Sequence, residues 1–319
     1  MPFFCYDSII QKNGYLGTSI TASGGYAAAT NLYIGSNPPF RVISSINAGV
    51  GGSTSWYALA SQAAMVEATN PDVVCIEYAV NDSTTEFYAK TGEALIRRLR
   101  TNLPNARIVF IAFTRVGNNL VNDATNLNQV LHDRWKALCV AYGVTFVSFA
   151  DRLYQVINVD GGTLADYLSD TVHPTAAGHA LAATVLEPAM VSALLGTGMP
   201  AMPDRVNACE NFEYAPTIRN GTDNDGETGT WSTSGTARLS SVAGSMITWT
   251  ATCASFGIHH TSSGVIRWRV DGGAWSADMN LSSYGAGREL SNTERTRASY
   301  TVDIEVVSGT VTLNRFLAV

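Results

Sequence analysis

Asp72-Val73-Val74-Cys75-Ile76-Glu77-Tyr78, running into Ala79-Val80-Asn81-Asp82, is the stretch that decides the fold. It is a short, nearly continuous apolar and β-branched run closed by a polar turn. Strands of a parallel sheet read this way when helices cover both faces. Working outward, Arg41–Asn47 and Arg107–Phe113 have the same character, and Gly14–Thr18 and Val144–Phe149 complete a set of five expected strands. Between them, Ser55–Thr69, Thr84–Thr101, Asp123–Ala141 and Thr175–Leu195 read as helices. In the third, Leu127, Val130, Leu131, Trp135, Leu138 and Cys139 recur at helical spacing and form one apolar stripe. This alternation predicts an α/β fold, a flavodoxin-like doubly wound parallel sheet, over residues 1–199.

The pattern breaks at Gly196–Asp204 (GTGMPAMPD), whose two Gly and two Pro read as a boundary loop. Residues 200–319 are rich in Thr, Ser and Gly. They carry short alternating runs at Met246–Ala251, Val265–Val270, Tyr300–Val307 and Thr310–Leu317, and Asp271-Gly272-Gly273 and Ser308-Gly309 read as hairpin turns. An all-β sandwich is expected there, as an accessory, carbohydrate-binding-like domain.

Composition narrows the function classes. The 319 residues carry a net charge of −6, and only 14% are charged, against roughly 25% in an ordinary soluble domain. No basic footprint for nucleic acid is present. Five widely spaced cysteines without a C-x-x-C pair argue against a structural zinc site or a redox motif, and Cys75 and Cys139 read as buried thiols. His132, His179 and the adjacent His259-His260 lack metal-ligand spacing, so neither metal nor cofactor is expected. The start, MPFFCYDSIIQKNG, lacks the basic and apolar regions of a signal peptide. Ala180–Leu195 is interrupted by Glu187 and Pro188 and reads as too short and broken for a bilayer span. The expectation is a soluble chain, not classically secreted, without a membrane partner.

Four segments carry chemistry. Leu16-Gly17-Thr18-Ser19 follows the first strand and can present a hydroxyl at the edge where such sheets bind ligands; an ordinary helix cap is the plain alternative. Asn47-Ala48-Gly49-Val50-Gly51-Gly52-Ser53-Thr54 lets the backbone approach a ligand and point N–H groups at it, or is simply a tight turn. It is not a phosphate-binding loop, because no Lys follows the glycines. Asn81 can donate its amide to an oxyanion, or cap the next helix. Asp170-Thr171-Val172-His173-Pro174 places a carboxylate three residues before an imidazole, where it can fix the ring tautomer. Pro174 suits a first helical position, with His173 at or near the cap.

In their order, Ser, Gly, Asn, then Asp and His, these blocks resemble the SGNH (GDSL-type) hydrolase superfamily over residues 13–195. The resemblance implies Ser19 as nucleophile and Asp170 and His173 as its triad partners. It also implies an oxyanion hole from the backbone N–H groups of Ser19 and Gly52 and the side chain of Asn81. Two positions depart from the family pattern: Gly17-Thr18-Ser19 stands for Gly-Asp-Ser, and Ala79-Val80-Asn81-Asp82 for Gly-x-Asn-Asp. The first removes a carboxylate beside the nucleophile; the second adds a methyl near the oxyanion hole and narrows the acyl site.

The implied reaction is ester hydrolysis through an acyl-enzyme. The appended sandwich favours a carbohydrate O-acetyl esterase, with Trp231, Trp275 and Tyr284 as sugar-stacking candidates; Trp249 and Trp268 alternate within apolar strands and read as core. Low charge and the Ser/Thr/Gly-rich sandwich also suit a phage tail-type deacetylase of bacterial surface polysaccharide, virion-associated or extracellular. A general short-chain carboxylesterase or acyltransferase, and a glycan-binding adhesin with a vestigial hydrolase domain, are the alternatives. The sandwich is also the expected route to any homo-oligomer.

Overall fold

A computed structural model describes residues 9–36, 40–115, 127–196, 198–283, 286–291 and 293–319. The first half runs β1 (Ile9–Gly17), α1 (Ser19–Ala22), α2 (Gly25–Ser36), β2 (Phe40–Asn47), then α3 (Ser55–Tyr57) and α4 (Ala63–Glu67) joined by a π-helical turn over Ala58–Gln62. It continues through β3 (Val73–Glu77), α5 (Glu86–Asn102), β4 (Arg107–Ala112), α6 (Leu127–Tyr142), β5 (Thr145–Ser148), α7 (Phe149–Asn158), α8 (Leu164–Tyr167) and α9 (Ala176–Leu195). All five strands are parallel, in the order β2-β1-β3-β4-β5. This is the flavodoxin-like winding, whose ligand edge lies at the carboxyl ends of the strands.

Strand β3 explains itself. Val74 and Ile76 face one apolar core with Leu95, Leu99 and Trp135, while Val73 and Cys75 face the other with Tyr26, Leu153 and Leu186. With both faces covered, no position can be polar at low cost, and the run is apolar throughout until Glu77. The segment before Leu127 in the expected third helix lies outside the described residues. Besides the single-turn α1, three helices escape the sequence pattern. α2 buries Tyr26, Ala27, Thr30 and Ile34 on one face, but Leu32 and Tyr33 stand exposed on the other and blur the stripe, and α7 follows β5 directly, its start fixed when Ser148 Oγ accepts the Asp151 N–H at 2.9 Å. α8 is a single short turn. Pro188 does not break α9, which runs unbroken for 20 residues and packs on α2, α7 and the sheet through Leu181, Leu186 and Met190.

The second half is a β-sandwich: β6 (Thr217–Asn220), β7 (Gly226–Thr228), β8 (Ser232–Ser234), β9 (Ala237–Ser240), β10 (Met246–Cys253), β11 (Phe256–His260), β12 (Val265–Val270), β13 (Met279–Asn280), β14 (Gly287–Glu289), β15 (Ala298–Ser308) and β16 (Val311–Ala318). One antiparallel sheet has the order β13-β12-β15-β10-β7; the other has β14-β11-β16-β9-β8, with β6 also on β16. The Ser308-Gly309 turn is therefore no hairpin: it carries the chain from β15 in one sheet to β16 in the other. Gly309 has the expected φ of 71°, but turn chemistry does not say which sheet receives the next strand. Trp249 stacks on Phe316 at 5.3 Å between the sheets.

The two halves share an apolar cluster. Trp56, Tyr57, Phe87 and Tyr88 meet Phe212, Ala254, Leu317 and Val319. The GTGMPAMPD segment is a packed strap. Arg97 donates to the Pro203 carbonyl at 3.0 Å and Arg100 to that of Pro200. Fully buried Glu93 accepts the N–H groups of Val206 and Asn207, each at 2.6 Å, and the Tyr142 hydroxyl.

Candidate active site

Ser19 opens α1 immediately beyond β1. Its Oγ lies 2.8 Å from His173 Nε2, and His173 Nδ1 lies 2.7 Å from Asp170 Oδ2. The structure thus brings the three residues together across 154 positions of sequence. The His173 loop is built locally. Asp170 Oδ1 accepts the N–H groups of Val172 and His173, both at 2.7 Å, which folds the loop around the carboxylate. The His173 N–H, the His173 ring and the Val172 N–H, in that order, hold the Asp170 carboxyl down to about 2. A firmly ionised carboxylate at Nδ1 keeps the proton there and leaves Nε2 to face Ser19 as an acceptor.

One expectation is corrected here. Pro174 is not the first helical residue and His173 is not the cap: α9 begins at Ala176, capped by Thr175, whose Oγ1 accepts the Gly178 N–H. Thr175 outcompetes the proline because its hydroxyl reaches that N–H. Pro174 instead forms an antiparallel bridge with Leu168, and His173 stands on the loop that this bridge closes.

The glycine loop lies beside Ser19. A Cβ on Gly51 would stand 3.8 Å from Ser19 Cβ, and Gly52 follows at φ 71°, a conformation suited to glycine. Gly49 is required for a closer approach, since a Cβ there would fall 2.3 Å from the Ala22 backbone nitrogen. Asn47 fastens this loop to the turn that carries Ser19, donating to the Thr21 carbonyl and accepting the Gly49 N–H at 2.9 Å. Asn81 is half-buried and donates from Nδ2 to the Ser53 carbonyl at 3.0 Å. The next residue, Asp82, is buried and accepts the Ser55 N–H at 2.8 Å through Oδ1, while Oδ2 has no hydrogen-bond partner. Burial pushes its carboxyl up to about 8.

Beneath these loops lies a layer that the sequence reading missed. Gln62, in the π-helical turn, donates to the carbonyls of Gly17 and Ala48 and accepts the Tyr78 hydroxyl at 2.8 Å, linking the ends of β1, β2 and β3. The Gly17 carbonyl also receives Val50 N–H and Ser53 Oγ, each at 3.1 Å. Glu77 lies under the turn that carries Ser19, and burial pushes it up to about 7 against hydrogen bonds from Thr18 and Thr21 that pull it down. Its signal in the sequence is the carboxylate closing an otherwise apolar buried strand, because a buried polar residue is the informative exception.

Two of the sugar-stacking candidates, Trp231 and Trp275, make their described contacts within the sandwich. Trp231 packs on the sandwich core and donates Nε1 to the Met246 carbonyl at 3.0 Å. Trp275 is half-buried and stacks with the guanidinium groups of Arg269 and Arg267, at 4.5 and 5.0 Å from its ring centroid. Tyr284 lies outside the described residues. Among the described residues, no group of three or more His, Cys, Asp or Glu side chains could hold a metal ion.

The GDSL-like Lipase/Acylhydrolase family pattern matches residues 7–181. No curated protein sequence matches the chain. Among solved structures, CEX, a two-domain esterase active on acetylated mannans, superposes with a TM-score of 0.78 at 19% identity, covering 98% of this chain and 91% of that one. The same enzyme co-crystallised with mannopentaose superposes equally well. A catalytic mutant of an acetylxylan esterase from Geobacillus stearothermophilus matches at a TM-score of 0.47 and 19% identity, covering 60% of this chain and 97% of that one. At such identities the likeness is one of fold, and with CEX it extends over both halves. By the family match over more than half its length, the chain belongs to the GDSL-like lipase/acylhydrolase family and is a carboxylic-ester hydrolase.

Proposed function

We propose that this hydrolase is a carbohydrate O-acetyl esterase working through Ser19, His173 and Asp170. The observation that carries the reading is the hydrogen-bonded row Ser19 Oγ–His173 Nε2–Asp170 Oδ2, at 2.8 and 2.7 Å, with the His173 and Asp170 side chains about half exposed (46% and 54%). His173 Nε2 takes the Ser19 proton as Oγ attacks the ester carbonyl. The oxyanion is met by the N–H groups of Ser19 and Gly52 and by the Asn81 amide. The C–O bond to the sugar breaks, the leaving oxygen takes the proton from His173, and water attacks the acyl-enzyme by the reverse relay.

The exposed His173 rim favours esters of a bulky alcohol, because it leaves the alcohol side open to a polymer. Ala79, expected to narrow the acyl site, is buried in the apolar core with Tyr78 and Leu95 and carries no argument on the acyl group. The CEX likeness adds that this two-domain arrangement occurs in an esterase active on acetylated mannans. In this reading residues 1–199 form the catalytic unit and 200–319 the accessory domain. The test is acetate release from acetylated mannan, xylan, peptidoglycan and bacterial O-antigens, with Ser19→Ala as control. Expected is release from at least one polymer by the wild type and none by Ser19→Ala. Hydrolysis of butyryl to octanoyl aryl esters in preference to acetyl esters, with no polymer deacetylated, would turn the assignment to a general carboxylesterase.

A further inference from the structure

We propose that Glu77 is a positioning residue for Ser19. Its oxygen Oε2 gathers the Thr18 N–H, the Thr18 hydroxyl and the Thr21 hydroxyl, fixing the strand-to-helix turn from which Ser19 reaches His173. The distances are 3.0, 2.7 and 3.2 Å. This inference rests on Ser19 being the nucleophile.

Glu77 is the last residue of β3 and pairs across the sheet with Gly17, the last residue of β1. That register puts its side chain under Thr18, the one residue linking β1 to Ser19. It is fully buried, and its other oxygen, Oε1, has no hydrogen-bond partner. A buried carboxylate with one empty oxygen is costly for stability alone, yet its bonded oxygen takes three donors, all from the turn that carries the nucleophile. The turn has no slack elsewhere. Thr18 Oγ1 also accepts the Ile20 N–H, and Thr21 Oγ1 is joined by the Tyr26 hydroxyl at 2.8 Å. A Cβ on Gly17 would lie 2.0 Å from Thr21 Oγ1 and 2.9 Å from the Glu77 carbonyl. With threonine at position 18, the carboxylate at this turn comes from the neighbouring strand. Glu77 touches no substrate; it acts through Thr18 on where Ser19 Oγ stands, and small errors there are expensive in rate.

The experiment follows covalent labelling of Ser19 by a fluorophosphonate, resolving the limiting rate from the half-saturating concentration, alongside circular dichroism to measure the folded fraction. Glu77→Gln is isosteric and keeps one acceptor oxygen but loses the charge that Glu77 carries above about pH 7, so with labelling followed at about pH 8 its hydrogen bonds weaken. The limiting labelling rate per folded molecule is expected to fall about tenfold, with half-saturation unchanged. Thr18→Val keeps the shape and removes one of the three donors; it is expected to slow labelling in the same way and carries the test should Glu77→Gln not fold. Wild-type labelling rates per folded molecule in the variant that folds would overturn the proposal. Labelling or turnover that persists in Ser19→Ala would instead dismiss the nucleophile assignment, a result the Glu77 variants cannot produce.

Discussion

The loops on either side of Ser19 are built by opposite means. The His173 loop is exposed and almost self-contained: Asp170 takes two N–H groups and one ring N–H from residues within three positions of itself. The Asn81 loop is packed inward. Asn81 reaches Ser53 and Asp82 reaches Ser55, 28 and 27 residues away. The two aspartates show the contrast in their chemistry. Asp170, wrapped in donors, is held down to about 2; Asp82, buried with one oxygen empty, is pushed up to about 8. The proposed general base, His173, thus stands on a loop whose geometry is local and whose carboxylate is firmly ionised. The proposed oxyanion donor, Asn81, stands on a loop held by residues 27 and 28 positions away.

This contrast can be broken at several points. Asp170→Asn still offers an oxygen to the two backbone N–H groups, so the loop should keep its shape. It presents an amide to His173 Nδ1, however, and disfavours the working tautomer. Turnover of 4-nitrophenyl acetate is expected to fall about 10⁴-fold, with an unchanged melting temperature; a large loss of stability would show that the loop is not self-contained. Asn81→Ala removes an oxyanion donor and is expected to lower kcat by about 10²- to 10³-fold. Unlike Asp170→Asn, it should also lower the melting temperature, because its bond to the Ser53 carbonyl is lost. Unchanged turnover would reject Asn81 as an oxyanion donor.

The third prediction tests how far the inward dependence reaches. Gly257 on β11 lies against Trp56, three residues beyond Ser53, and a Cβ there would fall 2.4 Å from the indole and 2.3 Å from the Arg288 carbonyl. Gly257→Ala is expected to cost about 1–3 kcal/mol in urea unfolding, with a loss in kcat of less than about tenfold. No change in either would mean that the sandwich does not support the helix behind the glycine loop.

The smallest effect is in pH. Asp82 titrates higher in the folded chain than in the unfolded one, so the folded state binds the extra proton between about pH 4 and 8. Stability from this group is therefore full below that window and declines as pH rises through it. Glu77 has the same sign up to about 7. Asp170 has the opposite sign: its contribution is present above about pH 4 and lost as pH falls toward 2, and exposure keeps it small. Asp82→Asn should flatten the decline of melting temperature between pH 5 and 9. A wild-type slope in that variant would remove Asp82 as its source.

What was legible in the sequence follows from these same constructions. The central strands could be read because burial on both faces leaves a continuous apolar run, as in Val73–Ile76 and Ile108–Ala112. β1 was legible only from Gly14 on, because Gln11, Lys12 and Asn13 interrupt its apolar run. The Asp170 and His173 pair could be read because its bonds close within four residues. α2 was not legible, since the exposed Leu32 and Tyr33 blur the face that Tyr26, Ala27, Thr30 and Ile34 bury. Nor was the strap over Glu93, whose Gly and Pro residues look the same in a loose linker and in a packed one.

The sequence by itself determined the winding of the sheet, the blocks at its ligand edge and the pairing of Asp170 with His173, because each rests on periodicity or on bonds between near neighbours. Only the tertiary structure decided that Gln62 ties three strand ends together, that a carboxylate from β3 underlies the Ser19 turn, and that Ser308-Gly309 crosses between sheets. The physical reason is that a hydrogen bond between distant residues leaves no period in the chain. Its partners are chosen by strand register and packing, and the sequence records only the anomaly, a buried glutamate, that such a bond makes tolerable.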